Sequence, residues 1–171
     1  MNHESVVEDW KRNAERNHDE NYRFLRSMKF RSYGFEPDAL AAKLHQEAFQ
    51  VVECTRCANC CKTIAPRLDE EDVNRIAGHL DMPADDFIAA YLDPDSVDRR
   101  YEMRQVPCPF LGDDDRCKIY DVRPADCREY PHTDKQDLVS RTMGVAGNTL
   151  VCPAAFWIVE RMKREARGDR G

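Results

Sequence analysis

Read by its hydrophobic positions, the chain is a series of helical segments joined by polar breaks. From Met1 to about Phe30, Trp10, Phe24, Leu25 and Met28 are set among Lys, Arg, Glu and Asn. Tyr22, Leu25 and the Met28-Lys29 pair form a partial apolar stripe, which predicts a helix that packs on the remainder or serves a partner. Ser32-Tyr33-Gly34-Phe35-Glu36-Pro37 interrupts the pattern. Asp38 begins a second helix with Leu40, Leu44, Ala48 and Val51 on one face.

Past residue 67 the helical period returns twice. Asp69 is the candidate cap of a helix whose first turn is acidic and whose inward face is Val73, Ile76 and Leu80. Asp81-Met82-Pro83 ends it, and a third helix from Ala84 turns Phe87, Ile88, Tyr91 and Leu92 inward before Asp93-Pro94. These two helices read as packing. Tyr101 to Val106 alternates weakly and predicts a strand. Gly112-Asp113-Asp114-Asp115, between short apolar flanks, predicts a β-hairpin that carries Cys108 towards Cys117. Its aspartates read as an exposed turn, because calcium loops need ligands spread over a wider arc. Pro124 suits the first turn of a short helix that bears Cys127 and stops at Pro131. The segment to Asn148 reads as polar loop, and its Gly144-Val145-Ala146-Gly147 lacks the Lys-Ser/Thr of a P-loop. Cys152-Pro153 opens a last amphipathic helix through Phe156, Ile158, Val159 and Met162, and Lys163 to Gly171 reads as a charged, frayed tail.

The chemistry gathers in Cys54-Thr55-Arg56-Cys57-Ala58-Asn59-Cys60-Cys61. Cysteines used as core hydrophobes sit singly among apolar neighbours, whereas these stand beside Thr55, Arg56, Asn59 and Lys62. An electropositive setting favours the thiolate, the form that binds metal. As one helix, the run would put Cys54, Cys57 and Cys61 on a narrow face with Cys60 at its flank. As a loop, two-residue spacings would still let the sulfurs converge, as in zinc sites and iron–sulfur runs.

The chain has 171 residues, 42% hydrophobic and 34% charged, which predicts one domain with a heavily solvated surface. A net charge of −6 argues against a nucleic-acid partner. No apolar run approaches membrane-spanning length, and the first residues show no signal-peptide core, so the expected compartment is the cytoplasm. There, eight clustered cysteines point to metal rather than disulfides.

Cys54-x2-Cys57-x2-Cys60-Cys61, Cys108-Pro-Phe-Leu, and Cys117-x-Ile-Tyr-x2-Arg-Pro-x2-Cys127-Arg-x-Tyr-Pro together resemble the YkgJ-type cysteine-cluster family, the CxxCxxCC zinc- or iron-chelating domain. The resemblance spans roughly Glu53 to Cys152, and the helices between Leu68 and Tyr91 resemble that family's usual insertion. It implies metal binding more firmly than any reaction. The family also resembles the cysteine-rich part of flagellin lysine-N-methylase, which suggests an iron–sulfur or protein-modifying setting.

The expected architecture is mainly α: a small irregular helical domain with a short β-hairpin, stapled by a cysteine-ligated metal site. Residues 1–52 form a helical arm, 53–153 the cysteine-cluster domain, and 154–171 a helix and tail packed on it. Candidate ligands are Cys54, Cys57, Cys60, Cys61, Cys108, Cys117, Cys127 and Cys152, serving two four-coordinate centres or one cluster with spare ligands. Adjacent Cys60 and Cys61 are expected to point apart, towards neighbouring metals, unless one stands outside the ligand set. Arg56, Arg123 and Arg128 are candidates to offset thiolate charge around the site, and His132 reads more readily as a bystander than as a ligand. Spacing leaves zinc and iron–sulfur open. The lack of a separate Cys-x2-Cys pair outside the Cys54–Cys61 run and the remote Cys-Pro pairs favour an iron–sulfur cluster in a redox or electron-transfer role. The alternatives are a zinc-stapled interaction module and an accessory to a protein-modifying enzyme. A protein redox partner or client is expected; catalytic residues and oligomeric state are not assigned. No hydrolytic constellation or methyl-donor fingerprint is found in the sequence.

Overall fold

The structure is a computed structural model, and it describes residues 1–95 and 100–168. It is mainly helical with a small antiparallel sheet, and the chain divides into two compact units, residues 54–130 and residues 1–53 with 131–171.

The unit that contains both termini is helical. Helix α1 (His3–Ser27) begins in a capping box, in which the Asn2 side chain accepts from Ser5 N (2.9 Å) and Ser5 Oγ accepts from Asn2 N (3.1 Å). Its inward face is Val6, Ala14, Asn21, Leu25 and Met28. Glu36 caps α2 (Pro37–Phe49), with Pro37 in the first turn where a missing N–H is harmless. Helices α8 (Thr142–Val151) and α9 (Pro153–Arg167) complete this unit. Helix α1 packs along α8 and α9, and α2 packs on α9. The Trp10 indole N–H donates to the Thr149 carbonyl (3.0 Å), fixing α1 against α8.

Two expectations are corrected here. The polar stretch before Asn148 is not loop throughout, because α8 occupies Thr142–Val151 and buries Val145, Ala146 and Thr149. Two glycines weaken its intrinsic helicity by about 1 kcal/mol each, and packing against α1 and α9 overrides that preference. Nor does the helix fray at Lys163. It runs to Arg167 and ends on Gly168 at φ 78°, the left-handed C-terminal cap that glycine adopts without a Cβ clash. Lys163 is buried, 4% exposed, and pairs with Glu160 (2.8 Å) and Glu20 (3.2 Å).

The second unit begins with the cysteine run, folded as two short helical turns, α3 (Cys54–Cys57) and α4 (Asn59–Thr63). Helices α5 (Glu70–His79) and α6 (Ala84–Tyr91) follow as expected, Asp69 capping α5 by accepting from Asp72 N (2.8 Å). Strands β1 (Arg67–Leu68), β2 (Leu92–Pro94) and β3 (Tyr101–Met103) form a sheet ordered β1-β3-β2, antiparallel throughout. Leu68 pairs with Tyr101, and Leu92 with Met103. The expected hairpin shrinks to a tight turn closed by one bridge, Leu111 with Cys117, and by Gly112 N donating to Arg116 O (2.8 Å). A Cβ on Gly112 would lie 2.7 Å from the exposed Asp114 carboxylate and 3.2 Å from the Arg116 carbonyl, so a larger residue there would make the Asp114 side chain move and the turn give slightly. The core is Leu68, Val73, Ile76, Phe87, Leu92, Met103, Phe110 and Ile119, with the Phe87, Tyr91 and Phe110 rings in mutual contact. Helix α7 (Ala125–Glu129) carries Cys127 and starts at Pro124.

Candidate metal centre

Between the two cysteine-bearing turns, Ala58 adopts φ 50°, a left-handed conformation uncommon for a residue with a Cβ. The reversal breaks the run, so the single helical face joining Cys54, Cys57 and Cys61 does not form. Instead Cys54, Cys60 and Cys61 line a cavity together with Cys108, Cys117 and Cys127. The cavity measures about 100 Å³. Cys57 lies off its wall, and Cys152 is buried in the other unit, preceding α9. His132 also belongs to that other unit. All eight cysteines are thiols not joined in disulfides.

Cys61 is the hub. Its thiol is hydrogen-bonded with that of Cys60, and it stands close enough to Cys54, Cys108, Cys117 and Cys127 to oppose their ionisation. The two adjacent sulfurs therefore face each other rather than pointing apart, since the tight turn of α4 leaves both directed at one cavity. Cys61 is raised well above the ordinary thiol range, first by that bond to Cys60 and then by burial. Burial is the main cause that raises Cys108, Cys117 and Cys127, with the neighbouring thiols adding to it. Crowded thiols resist ionising together, and a cation placed among them would reverse that preference.

The scaffold already supplies groups that favour thiolate. The Phe110 and Leu111 N–H groups donate to the Cys108 sulfur and the Ile119 N–H donates to that of Cys117, each opposing the rise. The Arg123 guanidinium acts in the same sense on Cys54 and Cys117. It stacks over the Tyr120 ring at 3.8 Å and donates to the Tyr120 carbonyl (2.6 Å), which holds it at the cavity wall. Arg128 instead donates to the Arg123 carbonyl (2.8 Å), and Arg56 is exposed and off the wall.

Backbone and side-chain bonds fix the pieces to one another. Cys108 N donates to Cys61 O (2.8 Å), Lys62 pairs with Asp115 across to the turn (2.6 Å), and Asp126 accepts from Arg67 N (3.0 Å). Asp72, 3% exposed, accepts from Ala125 N at 3.1 and 3.2 Å and so satisfies the start of α7. Arg75 pairs with Asp72 and donates to the Arg123 carbonyl (3.1 Å). Asp72 and Arg75 are positioning residues that sequence reasoning missed. They stand three apart on a helix read as packing, and no local signal points to partners some fifty residues away.

Among the described residues, no three His, Cys, Asp or Glu side chains already converge on one ion-sized point. What six thiols share is the wall of a cavity, and the donor set is one that soft metals and iron–sulfur centres accept. In chemical terms this is a cysteine-lined metal-binding module. The chain belongs to the CxxCxxCC family, whose model, described as "Putative zinc- or iron-chelating domain", matches residues 53–145. Metal binding is thus its family property. The chain is also similar to an uncharacterized protein of Methanocaldococcus jannaschii, MJ0661, at 35% identity over 85 residues. That match covers 47% of this chain and 44% of the relative, so less than half of the relative's length is matched. No solved structure matches the chain. No helix among the described residues is long and apolar enough to cross a membrane.

Proposed function

We propose that the cavity holds an iron–sulfur cluster and that the protein works in a redox or electron-transfer role. The observation that carries this reading is the arrangement of six thiols around about 100 Å³, where a single zinc ion would take four ligands gathered on one point. Cys61, Cys108, Cys117 and Cys127 are the ligands this reading favours, with Cys54 and Cys60 beside them. When bound, such a cluster supplies one-electron transfer at thiolate-ligated iron. The chain's own part is to hold the thiolates. Arg123 and the N–H groups of Phe110, Leu111 and Ile119 offset their charge, while Met103, Phe110 and Ile119 form an apolar backing. Under this reading the protein resides in a reducing compartment such as the cytoplasm and exchanges electrons with a separate protein partner or client.

A structural zinc staple is the second reading. It is supported by α3 and α4, which bury no side chain of their own and so gain little from apolar packing. The deciding experiment is metal and acid-labile sulfide analysis, with a visible spectrum, on protein purified without oxygen. Iron, sulfide and broad absorbance near ~400 nm are expected. Stoichiometric zinc in colourless protein would replace the cluster with the staple, and metal-free folded protein would remove both readings.

A further inference from the structure

The corner between α1 and α2 carries a charge pattern opposite to that of the whole chain. From Tyr22 to Phe35 there are four cations, Arg23, Arg26, Lys29 and Arg31, and no carboxylate, in a chain whose net charge is −6. All four are exposed, and none of them forms an ion pair among the described residues. Arg23 donates to the Asp19 carbonyl (3.2 Å) and Arg26 to the Tyr22 hydroxyl (3.3 Å), both within α1. Arg23, Arg26 and Lys29 follow one another at three-residue spacing, so like charges stand side by side and repel. The carboxylates at the edge of the patch are already engaged: Glu20 by Lys163 and Arg167, and Glu36 by the start of α2.

Phe30 stands among these cations with 79% of its surface exposed. Its backbone is held in place, since the N–H groups of Phe30 and Arg31 donate to the Ser27 carbonyl (2.9 and 3.0 Å). The Ser27 and Tyr33 hydroxyls are bonded at 2.6 Å, and the Tyr33 ring contacts those of Phe24 (5.5 Å) and Phe35 (6.1 Å). Gly34, at φ 77°, reverses the chain behind them. Phe30 also lines three adjoining hollows of about 710, 660 and 450 Å³. Met143, 74% exposed, lines the largest of them. The whole patch lies within the unit that contains the termini. A large ring presented to water on a braced backbone, between hollows and ringed by unpaired cations, has the composition of an interface anchor.

We propose that this corner docks a protein partner through an acidic segment that carries an apolar side chain. Its carboxylates meet Arg23, Arg26, Lys29 and Arg31, and its apolar side chain packs on Phe30 and Met143. The shape favours a protein segment over a bilayer, because a flat lipid surface leaves the hollows around Phe30 unfilled, whereas side chains enter them. The charge favours a short acidic segment over nucleic acid. A long polyanion meets the field of the whole chain, at −6, while a short segment feels mainly charges within a Debye length of about 8–10 Å. The docking uses no cysteine and is independent of the metal.

The test is fluorescence anisotropy of the full chain with a short labelled peptide of glutamate and aspartate that contains one leucine and one phenylalanine. Saturable binding that weakens as salt rises is expected. Phe30→Ser should weaken it at least tenfold, and Arg26→Glu and Lys29→Glu each about tenfold, with helical circular dichroism and metal content unchanged. Lys11→Glu, an exposed charge reversal near the other end of α1, should leave binding as it is. An equally charged peptide without the two apolar residues should bind at least tenfold more weakly. No saturation at millimolar peptide, Phe30→Ser binding as the wild type does, or Lys11→Glu weakening it as much as Lys29→Glu would overturn the proposal. So would tighter, Phe30-dependent binding of anionic phospholipid vesicles or single-stranded DNA, which would assign the patch to a membrane or to nucleic acid. Self-association of the chain that Phe30→Ser abolishes would overturn it too, by making a second copy the occupant.

Discussion

Cys61 shows how one residue can matter more than its neighbours of identical chemistry. Its carbonyl accepts from Cys108 N, its thiol meets that of Cys60, and it opposes the ionisation of four further thiols. Cys61→Ser should therefore remove most bound metal, whereas Cys57→Ser, off the cavity wall, should remove little; metal analysis of the two purified variants checks the ranking. Equal losses would mean that Cys57 swings into the ligand set. Lys163 is a different kind of residue, buried among carboxylates with no metal in view. Lys163→Met should cost about 1–2 kcal/mol in urea unfolding, because Glu160, itself only 20% exposed, loses its cation.

Among the elements, the pair of cysteine-bearing turns is the most dependent on something outside itself. Helices shorter than about a dozen residues are marginal alone, and α3 and α4 have four and five residues with no buried side chain. What orients them is the left-handed residue Ala58, itself buried at 4% exposure. A β-branched side chain is strained there by roughly 1–2 kcal/mol. Ala58→Val should accordingly lower metal occupancy, and Ala58→Gly should retain it, as read by metal analysis of both variants. Helix α7 is held differently. Its first N–H is satisfied by Asp72 from α5, so Cys127 owes its place to a helix that contributes no ligand.

For the molecule as a whole, the two units should respond to different insults. Metal binding to thiolates is folding free energy for the segments it orders. A chelator should thus raise amide exchange in residues 54–63 and 108–127 while α1, α8 and α9 stay protected, as followed by hydrogen–deuterium exchange mass spectrometry. Acid acts on the terminal unit through two groups. Hydrogen bonding and charge from Lys163, helped by Arg167, hold Glu20 below its ordinary 4.5, against the opposing effect of burial. Burial holds His45 below 6.5, with Asp134 opposing. A depressed folded pKa means stability that is complete above the unfolded value and lost as pH falls through the folded one. The melting temperature of this unit should fall first below about pH 6.5 and again below about pH 4.5, and His45→Gln should abolish the first decline.

The sequence by itself determined what local chemistry dictates. The Asp69 cap, the breaks at Pro37, Pro83 and Pro131, the apolar faces of α2, α5 and α6, and the cysteine run with its metal-binding meaning all depend on residues a few positions apart. The tertiary structure decided the rest. It made a helix of the glycine-bearing α8 because neighbours buried its face. It turned Cys60 and Cys61 into one cavity because Ala58 reversed the backbone, and it gave Asp72 a partner at Ala125. It also placed Cys152 in a different compact unit from the other seven cysteines. Those outcomes rest on contacts between residues far apart in the chain, whose energies exceed local preference and leave no periodic trace in the sequence.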